Sequence, residues 1–195
     1  MSRTIRALLL VILVAGCGSR EFSAPRNLDD ACSIVAQRPQ YLRAFQQTER
    51  TWGIPVAVQM AIIYQESKFI GNARPPHQYA LGVLPIGRQS SAYGYSQALD
   101  GTWDDYLASS AGRSRAQRHE IRDATDFMGW YMTATTRELG IPLNDTRNQY
   151  LAYHEGRAGY RRGTHNSKAW LVRIAAELEG RAIMYDAQLR SCGRI

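Results

Sequence analysis

The side chain best placed for acid–base chemistry in this sequence is the carboxyl of Glu66. It stands just after an almost wholly apolar run, PVAVQMAIIY (55–64). The run predicts a buried helix from Pro55 to Phe69, because Pro55 suits a first helical position, where a missing N–H costs nothing. Burial and the negative end of the helix dipole would both favour the protonated form of Glu66. A carboxyl that keeps its proton near neutral pH is what a general acid needs. The competing interpretation is a solvent-facing Glu beyond the core.

Two more short motifs follow in chain order, and with the Glu66-Ser67 pair they form a set. The second motif is Gly94-Tyr95-Ser96-Gln97, and the third is Ala152-Tyr153-His154-Glu155-Gly156. The set resembles the soluble lytic transglycosylase (SLT) type, whose pattern is Glu-Ser, then Gly-Leu-Met-Gln, then Ala-Tyr-Asn. The resemblance covers roughly residues 51–159. The chain departs from the pattern where Tyr-Ser replaces Leu-Met in the second motif and where His replaces Asn in the third.

The resemblance implies a goose-type lysozyme fold and cleavage of peptidoglycan glycan strands by a single carboxyl. Glu66 would protonate the oxygen between N-acetylmuramic acid and N-acetylglucosamine. It would then act as base on the muramoyl 6-hydroxyl and leave a 1,6-anhydro end. The motifs also imply a set of substrate contacts, namely Ser67, Gly94, Tyr95, Gln97, Tyr153, His154 and Glu155. We expect no cofactor, and no metal either, since the spacing of the histidines and cysteines fits no metal motif.

Two other functions remain open from the sequence. Most glycosidases use two carboxyls, so a hydrolytic muramidase on the same fold would need Glu155 or Asp100 to activate water. Asp104 and Asp126 are better explained as a cap or as solvated charges. The altered second and third motifs are also compatible with a non-catalytic lipoprotein that binds peptidoglycan.

The elements that must position these residues are predicted to be mostly α-helical. Apolar residues make up 45% of the chain and charged residues 21%, which is typical of a globular protein. Residues 28–195 are expected to form one domain of about eight helices. Besides 55–69, the predicted helices are 28–37, 41–51, 102–111, 114–121, 124–139, 146–154 and 167–189. Their predicted N-caps include Thr102, Asp123, Asp145 and Asn166. A long irregular loop or small β-ribbon is expected at 71–92, and a glycine-rich turn at 155–163.

The first residues have the pattern of a secretion leader. Arg3 and Arg6 precede a short apolar stretch, Ala7 to Val14, that is too short to span a membrane. With Cys17 after Val-Ala-Gly, residues 1–16 resemble a bacterial lipoprotein signal peptide. Cys17 would carry the lipid, residues 17–27 would be a tether, and the domain would face the periplasm from the outer membrane. An ordinary secreted leader with a coincidental Cys is the alternative.

The remaining cysteines and the net charge bear on compartment and partners. Cys32 and Cys192 form an even pair, which outside the cytoplasm suggests a disulfide between the first and last helices; two free thiols are the alternative. The net charge of +7 favours anionic partners. We expect these to be peptidoglycan and, through the lipid on Cys17, a membrane. No long Lys/Arg run points to nucleic acid.

Overall fold

Seven α-helices and one small β-ribbon make up the part of the chain that the computed structural model describes, which is residues 22–109, 112 and 114–195. The elements in chain order are α1 (Ala31–Gln37), α2 (Pro39–Trp52), α3 (Val56–Ser67), β1 (His77–Ala80), β2 (Leu84–Arg88), α4 (Asp100–Ala108), α5 (Ile121–Leu139), α6 (Thr146–Arg161) and α7 (Ala169–Ser191). A short 3-10 helix (Thr164–Ser167) joins α6 to α7. The predicted mostly helical domain is confirmed. The leader and Cys17 lie outside the described residues, and none of the described helices is long and apolar enough to cross a membrane.

Helix α3 is the central element of the fold. Eight consecutive residues, Val56 to Ile63, are buried, and α2, α6 and α7 pack around them. A helix that is apolar on all sides can only be stable inside such a ring of neighbours. Even its polar Gln59 is inside, where its amide donates to the carbonyls of Phe45 at 3.0 Å and Ile54 at 2.8 Å. The predicted buried helix is therefore confirmed, although Pro55 is its N-cap and Ser67 its last residue.

The first and last helices are joined covalently. Cys32 in α1 and Cys192, at the end of α7, form the expected disulfide. Among the described residues, the buried hydrophobic ones lie between Ala31 and Leu189. This core and the disulfide are therefore both formed by residues downstream of the predicted lipidation site.

The long segment after α3 contains the predicted ribbon. Strands β1 and β2 pair antiparallel, with Ala80 opposite Leu84 and His77 opposite Arg88, so that the chain between them forms a hairpin tip. The side chains of both strands are almost all exposed. The hairpin therefore projects from the domain instead of covering its core.

Between residues 100 and 123, one predicted helix is wrong and two predicted helices start at other residues than expected. Helix α4 begins at Asp100 rather than after Thr102, because the Asp100 N–H is already held by the Ser91 hydroxyl at 3.0 Å. The predicted helix 114–121 is absent: residues 114–120 form turns and a bend, Ile121 already belongs to α5, and the Arg118 carbonyl accepts a hydrogen bond from the Tyr95 N–H. Helix α5 starts before Asp123, whose carboxylate accepts from the Gln117 N–H at 2.8 Å.

The predicted helix end near residue 154 corresponds to a kink, and the turn after it is shorter than predicted. Asp145 caps α6 as expected, and the helix is broken by a kink at Gly156, with φ 72° and ψ 154°, before a second helical segment runs to Arg161. The positive φ, which only glycine adopts at low cost, takes up the irregularity within one residue. Asn166 caps nothing, because it lies in the 3-10 helix and α7 begins at Ala169.

Candidate active site

Glu66 lies in the last turn of α3, where the chain turns sharply out of the core. Lys68 and Phe69 follow it with φ 51° and 61°, and left-handed backbone is costly for residues other than glycine. Strain of this kind is concentrated at functional sites. The Glu66 side chain is half-buried. Burial raises the pKa of its carboxyl from 4.5 to about 7, against a hydrogen bond from Tyr150 and the charge of Lys68, which both lower it.

Tyr150 is a site residue that the sequence interpretation missed. It lies in α6, which packs against α3, and hydrogen bonding by its hydroxyl lowers the pKa of the Glu66 carboxyl. Hydrogen bonding by the Gln65 side chain lowers the pKa of Tyr150 in turn. Burial and the Glu66 charge raise the pKa of Tyr150, so the phenol remains a donor throughout the range in which Glu66 titrates. The available signal was its spacing of three residues from Tyr153, which places both side chains on one face of α6.

Tyr153 connects the second motif to the third. Its hydroxyl donates to the Ser96 carbonyl at 2.7 Å, and its ring packs edge-on against Tyr131 with ring centroids 5.3 Å apart. Burial, followed by the nearby Glu66 charge, raises the pKa of Tyr153. Tyr153 therefore lies within electrostatic range of the candidate acid while its proton is directed at the backbone of the second motif.

The second motif is shaped by its backbone. Gly94 has φ +81°, and a Cβ there would lie 2.1 Å from the Arg118 carbonyl oxygen, so no other residue fits without rearrangement. The Gln97 amide donates to the carbonyls of Ala73 at 3.0 Å and Gly94 at 2.8 Å. These bonds fix the loop that faces the end of α3, and they give Gln97 a structural role beside its predicted sugar contact.

Two other predicted contacts lie inside the core. Tyr95 is buried, with its hydroxyl 3.0 Å from that of Tyr41. Ser67 is buried as well, and its hydroxyl donates to the Ile63 carbonyl one turn earlier at 3.2 Å. For both residues the placement favours a structural role over the predicted contact with substrate.

Glu155 and His154 lie one turn beyond Tyr150 in α6 and form a polar cluster, which adjoins Tyr150 through the His154 ring, with ring centroids 6.3 Å apart. The Glu155 carboxylate, 4% exposed, accepts from the Lys168 ammonium at 2.7 Å and from the hydroxyl of Thr164, and it lies 3.0 Å from His154 Nδ1. Burial alone would raise the pKa of Glu155, but these partners lower it to about 2. The exposed His154 ring packs edge-on against Trp170. A carboxylate held this firmly is a poor base.

Two other carboxylates considered from the sequence, those of Asp126 and Asp100, also have partners of their own. Asp126 is half-buried, not solvated, and accepts from the Trp52 indole at 2.9 Å and the Tyr106 hydroxyl at 2.6 Å. Asp100 pairs with Arg118 at 2.7 Å. Across the described ranges, no second carboxylate contributes to the pKa of Glu66. Those ranges also hold no group of three or more His, Cys, Asp or Glu side chains arranged to bind a metal.

An open cavity flanks the end of α3. Its volume is about 430 Å³, and Gln65, Lys68 and Tyr64 line one side of it. The Lys68 ammonium lies 3.6 Å from the centroid of the Tyr64 ring, and the Arg181 guanidinium lies 3.5 Å from the same centroid. The positive charge that acts on Glu66 is thus held in place by an aromatic ring.

Comparison with protein-family models identifies a family that the chain matches. A family model described as a transglycosylase SLT domain matches residues 5–192, which is nearly the whole chain and includes Glu66, the second motif and α6. No curated protein matches the sequence.

Proposed function

Because the chain belongs to the family of transglycosylase SLT domains, we propose that it is a peptidoglycan lytic transglycosylase with Glu66 as its only acid and base. The observation that carries the proposal is the carboxyl itself. Its pKa is raised to about 7 at the end of a buried helix, and no second carboxylate acts on it among the described residues. One group that exchanges its proton near neutral pH is suited to both halves of such a reaction.

The reaction balances without water. The protonated Glu66 donates to the oxygen between N-acetylmuramic acid and N-acetylglucosamine, and the bond from that oxygen to the muramoyl C1 breaks. The Glu66 carboxylate then removes the proton of the muramoyl 6-hydroxyl, whose oxygen attacks C1. The products are a 1,6-anhydromuramoyl end and a free 4-hydroxyl on the glucosamine, and Glu66 regains its proton.

The neighbours of Glu66 have distinct parts in this proposal. The hydrogen bond from Tyr150 orients the carboxyl and stabilises its charged form, as does the Lys68 ammonium, so both support the base step. Burial favours the acid step. A hydrolytic muramidase would need a second carboxylate near Glu66, and the engagement of Glu155 and Asp100 elsewhere is the reason we favour the single-carboxyl mechanism.

The proposed location is the periplasmic face of the outer membrane. It rests on the resemblance of residues 1–17 to a lipoprotein signal, with the lipid on Cys17. The disulfide between Cys32 and Cys192 fits an oxidising compartment of this kind.

The catalytic assignment is tested with purified sacculi. Glu66→Gln keeps the shape and the acceptor for Tyr150 but removes the proton exchange, so we expect it to release no muropeptides. Asp104→Asn is the matched control, because it makes the same chemical change at an exposed carboxylate, and it should release muropeptides at the wild-type rate. Wild-type release by folded Glu66→Gln would refute the assignment.

A further inference from the structure

The tip of the β1–β2 hairpin presents aliphatic side chains to water. Leu81 is 91% exposed, Val83 73%, Leu84 58% and Ile86 64%. Single exposed apolar residues are ordinary on protein surfaces, but a contiguous group is typical of a surface that meets an apolar partner. The hairpin leaves the core without covering any of it, so folding alone does not account for this group.

Leu81 is also unfavourable for the turn that it forms. It has φ 52° and Gly82 has φ 75°, and the Val83 N–H donates to the Ala80 carbonyl at 3.2 Å, which describes a type I′ turn. The first of the two central positions of such a turn favours Asn, Asp or Gly, and the backbone of a leucine there is strained. Leu81 is thus unfavourable both for the left-handed backbone of the turn and for an apolar side chain exposed to water.

The chain segment that carries the hairpin has charges of one sign. No Asp or Glu occurs between Glu66 and Asp100, whereas Arg74 and Arg88 lie on either side of the ribbon. Arg88 donates to the Pro75 carbonyl at 2.6 Å, and Arg74 lies over the Tyr93 ring. An aliphatic tip with cations at its base matches the order of layers in an anionic phospholipid surface, where acyl chains lie beneath charged headgroups.

The N-terminal end of the described chain lies near the base of the hairpin. Phe22, the first residue described, packs edge-on against His119 with ring centroids 5.8 Å apart, and His119 in turn packs against Tyr93. A Cβ on Gly71, which lies between α3 and β1, would be 2.8 Å from the Phe22 ring. The five residue-to-residue steps from Cys17 to Phe22 span at most about 17 Å, and a strand of four residues extends about 13 Å. A lipid on Cys17 and the hairpin tip can therefore reach one surface.

We propose that the hairpin tip inserts into the phospholipid surface to which Cys17 is anchored and so holds the domain in one orientation. The proposal rests on the lipid anchor in the proposed function but does not require the catalytic mechanism. The tip's aliphatic composition favours lipid over glycan as the partner, because sugars are usually held by aromatic faces and hydrogen bonds. The hairpin would act as a second contact beside the lipid, which makes a reversible attachment stable.

The test is co-sedimentation of the chain from Gly18 onward, which lacks the leader and Cys17, with vesicles of equal parts phosphatidylethanolamine and phosphatidylglycerol. We expect binding that Leu81→Asn weakens by about tenfold, given the transfer free energy of one leucine side chain. Leu81→Asn introduces the favoured Asn-Gly turn, so the melting temperature of this variant should equal or exceed that of the parent. Ile183→Gln, which changes a single exposed aliphatic residue on α7, should bind as the parent does.

The possible results separate the proposal from its rivals and from the catalytic assignment. Glu66→Gln should bind vesicles as well as the parent, whatever its effect on muropeptide release. No vesicle binding by the parent, or equal binding by Leu81→Asn, would overturn the proposal. If Leu81→Asn binds vesicles as the parent does but no longer self-associates in sedimentation, the true partner of the tip is a second copy of the chain. If it binds vesicles as the parent does but no longer binds sacculi, the true partner is the glycan.

Discussion

Replacement of Glu66 by Gln should make the protein more stable, and by an amount that depends on pH. The native pKa of about 7 lies above the ordinary value of 4.5, so the native state binds this proton more tightly than the unfolded state does. The native state therefore loses stability as the pH rises from about 4.5 to 7. The difference between a pKa of 4.5 and one of about 7 corresponds to about 3 kcal/mol of native-state stability. Gln has no charged form to bury, so the variant does not lose this stability. In a domain of this size the difference in melting temperature at pH 8 should be about 6 to 12 °C.

The assay is urea or thermal unfolding of both proteins at pH values from 4 to 8. The advantage of the variant should be small at pH 4, grow through the window between 4.5 and 7, and stay constant above it. A difference that is flat with pH, or a wild type that gains stability across this window, would refute the claim that burial raises the pKa of Glu66.

Glu155→Gln should change stability in the opposite direction from Glu66→Gln. Its native pKa of about 2 lies below the ordinary value, so its charged form contributes stability above pH 4.5 that is lost as the pH falls toward 2. The variant should therefore be less stable than wild type at pH 7 by about 3 kcal/mol, with the difference vanishing in acid. If both substitutions act in the same direction, the contrast between the two carboxyls is wrong.

Three further predictions concern the neighbours of Glu66 and the covalent tie between the helices. Tyr150→Phe removes a hydrogen bond that favours the charged carboxyl, so the alkaline limb of the pH–rate profile should move to higher pH and kcat should fall roughly tenfold; an unchanged profile would mean that Tyr150 does not act on Glu66. Lys68→Met should move the same limb in the same direction, as measured by the same profile, and a shift to lower pH would contradict it. Replacement of Cys32 and Cys192 together by Ser should lower the free energy of unfolding by about 3 to 5 kcal/mol in urea, because the pair closes nearly the whole domain; equal stability would contradict this.

The central helix and its carboxyl could be predicted from the sequence because a single local signal determines both. A run apolar on all sides must be buried, and a Glu directly after it must lie at the edge of the core. The disulfide was predictable for a similar reason, since only one pair of cysteines remained after Cys17. In each case the prediction needed no knowledge of how distant elements cross.

Tyr150 was missed because its role depends on how two distant helices pack. A tyrosine in an amphipathic helix has the same sequence signature whether it packs in the core or donates to a carboxylate on another helix. Only the packing of α6 against α3 separates the two cases. The same limit applies to Tyr95 and Ser67, whose motif positions indicate a site while their side chains lie in the core behind it.

Helix boundaries were predicted wrongly where tertiary contacts override the local sequence signal. Residues 114–121 contain residues compatible with a helix, but their backbone bonds to the second motif. Three glycines after residue 155 predict a turn, yet Gly159 is helical, Gly156 only kinks the helix, and the turn itself comes at Gly163, with φ 70°. In Gly159 the absent side chain has another use, because a Cβ there would lie 3.2 Å from both Glu155 and Thr164.

In the proposed mechanism, one carboxyl and an internal hydroxyl replace the two carboxyls and the water of a hydrolase. Digestion of sacculi in water enriched in oxygen-18, with mass spectrometry of the released muropeptides, distinguishes the two reactions. We expect 1,6-anhydromuramoyl ends that contain no heavy oxygen, and no products from Glu66→Gln. Reducing ends that are one water heavier and carry the label would refute the single-carboxyl mechanism and would require a second catalytic group.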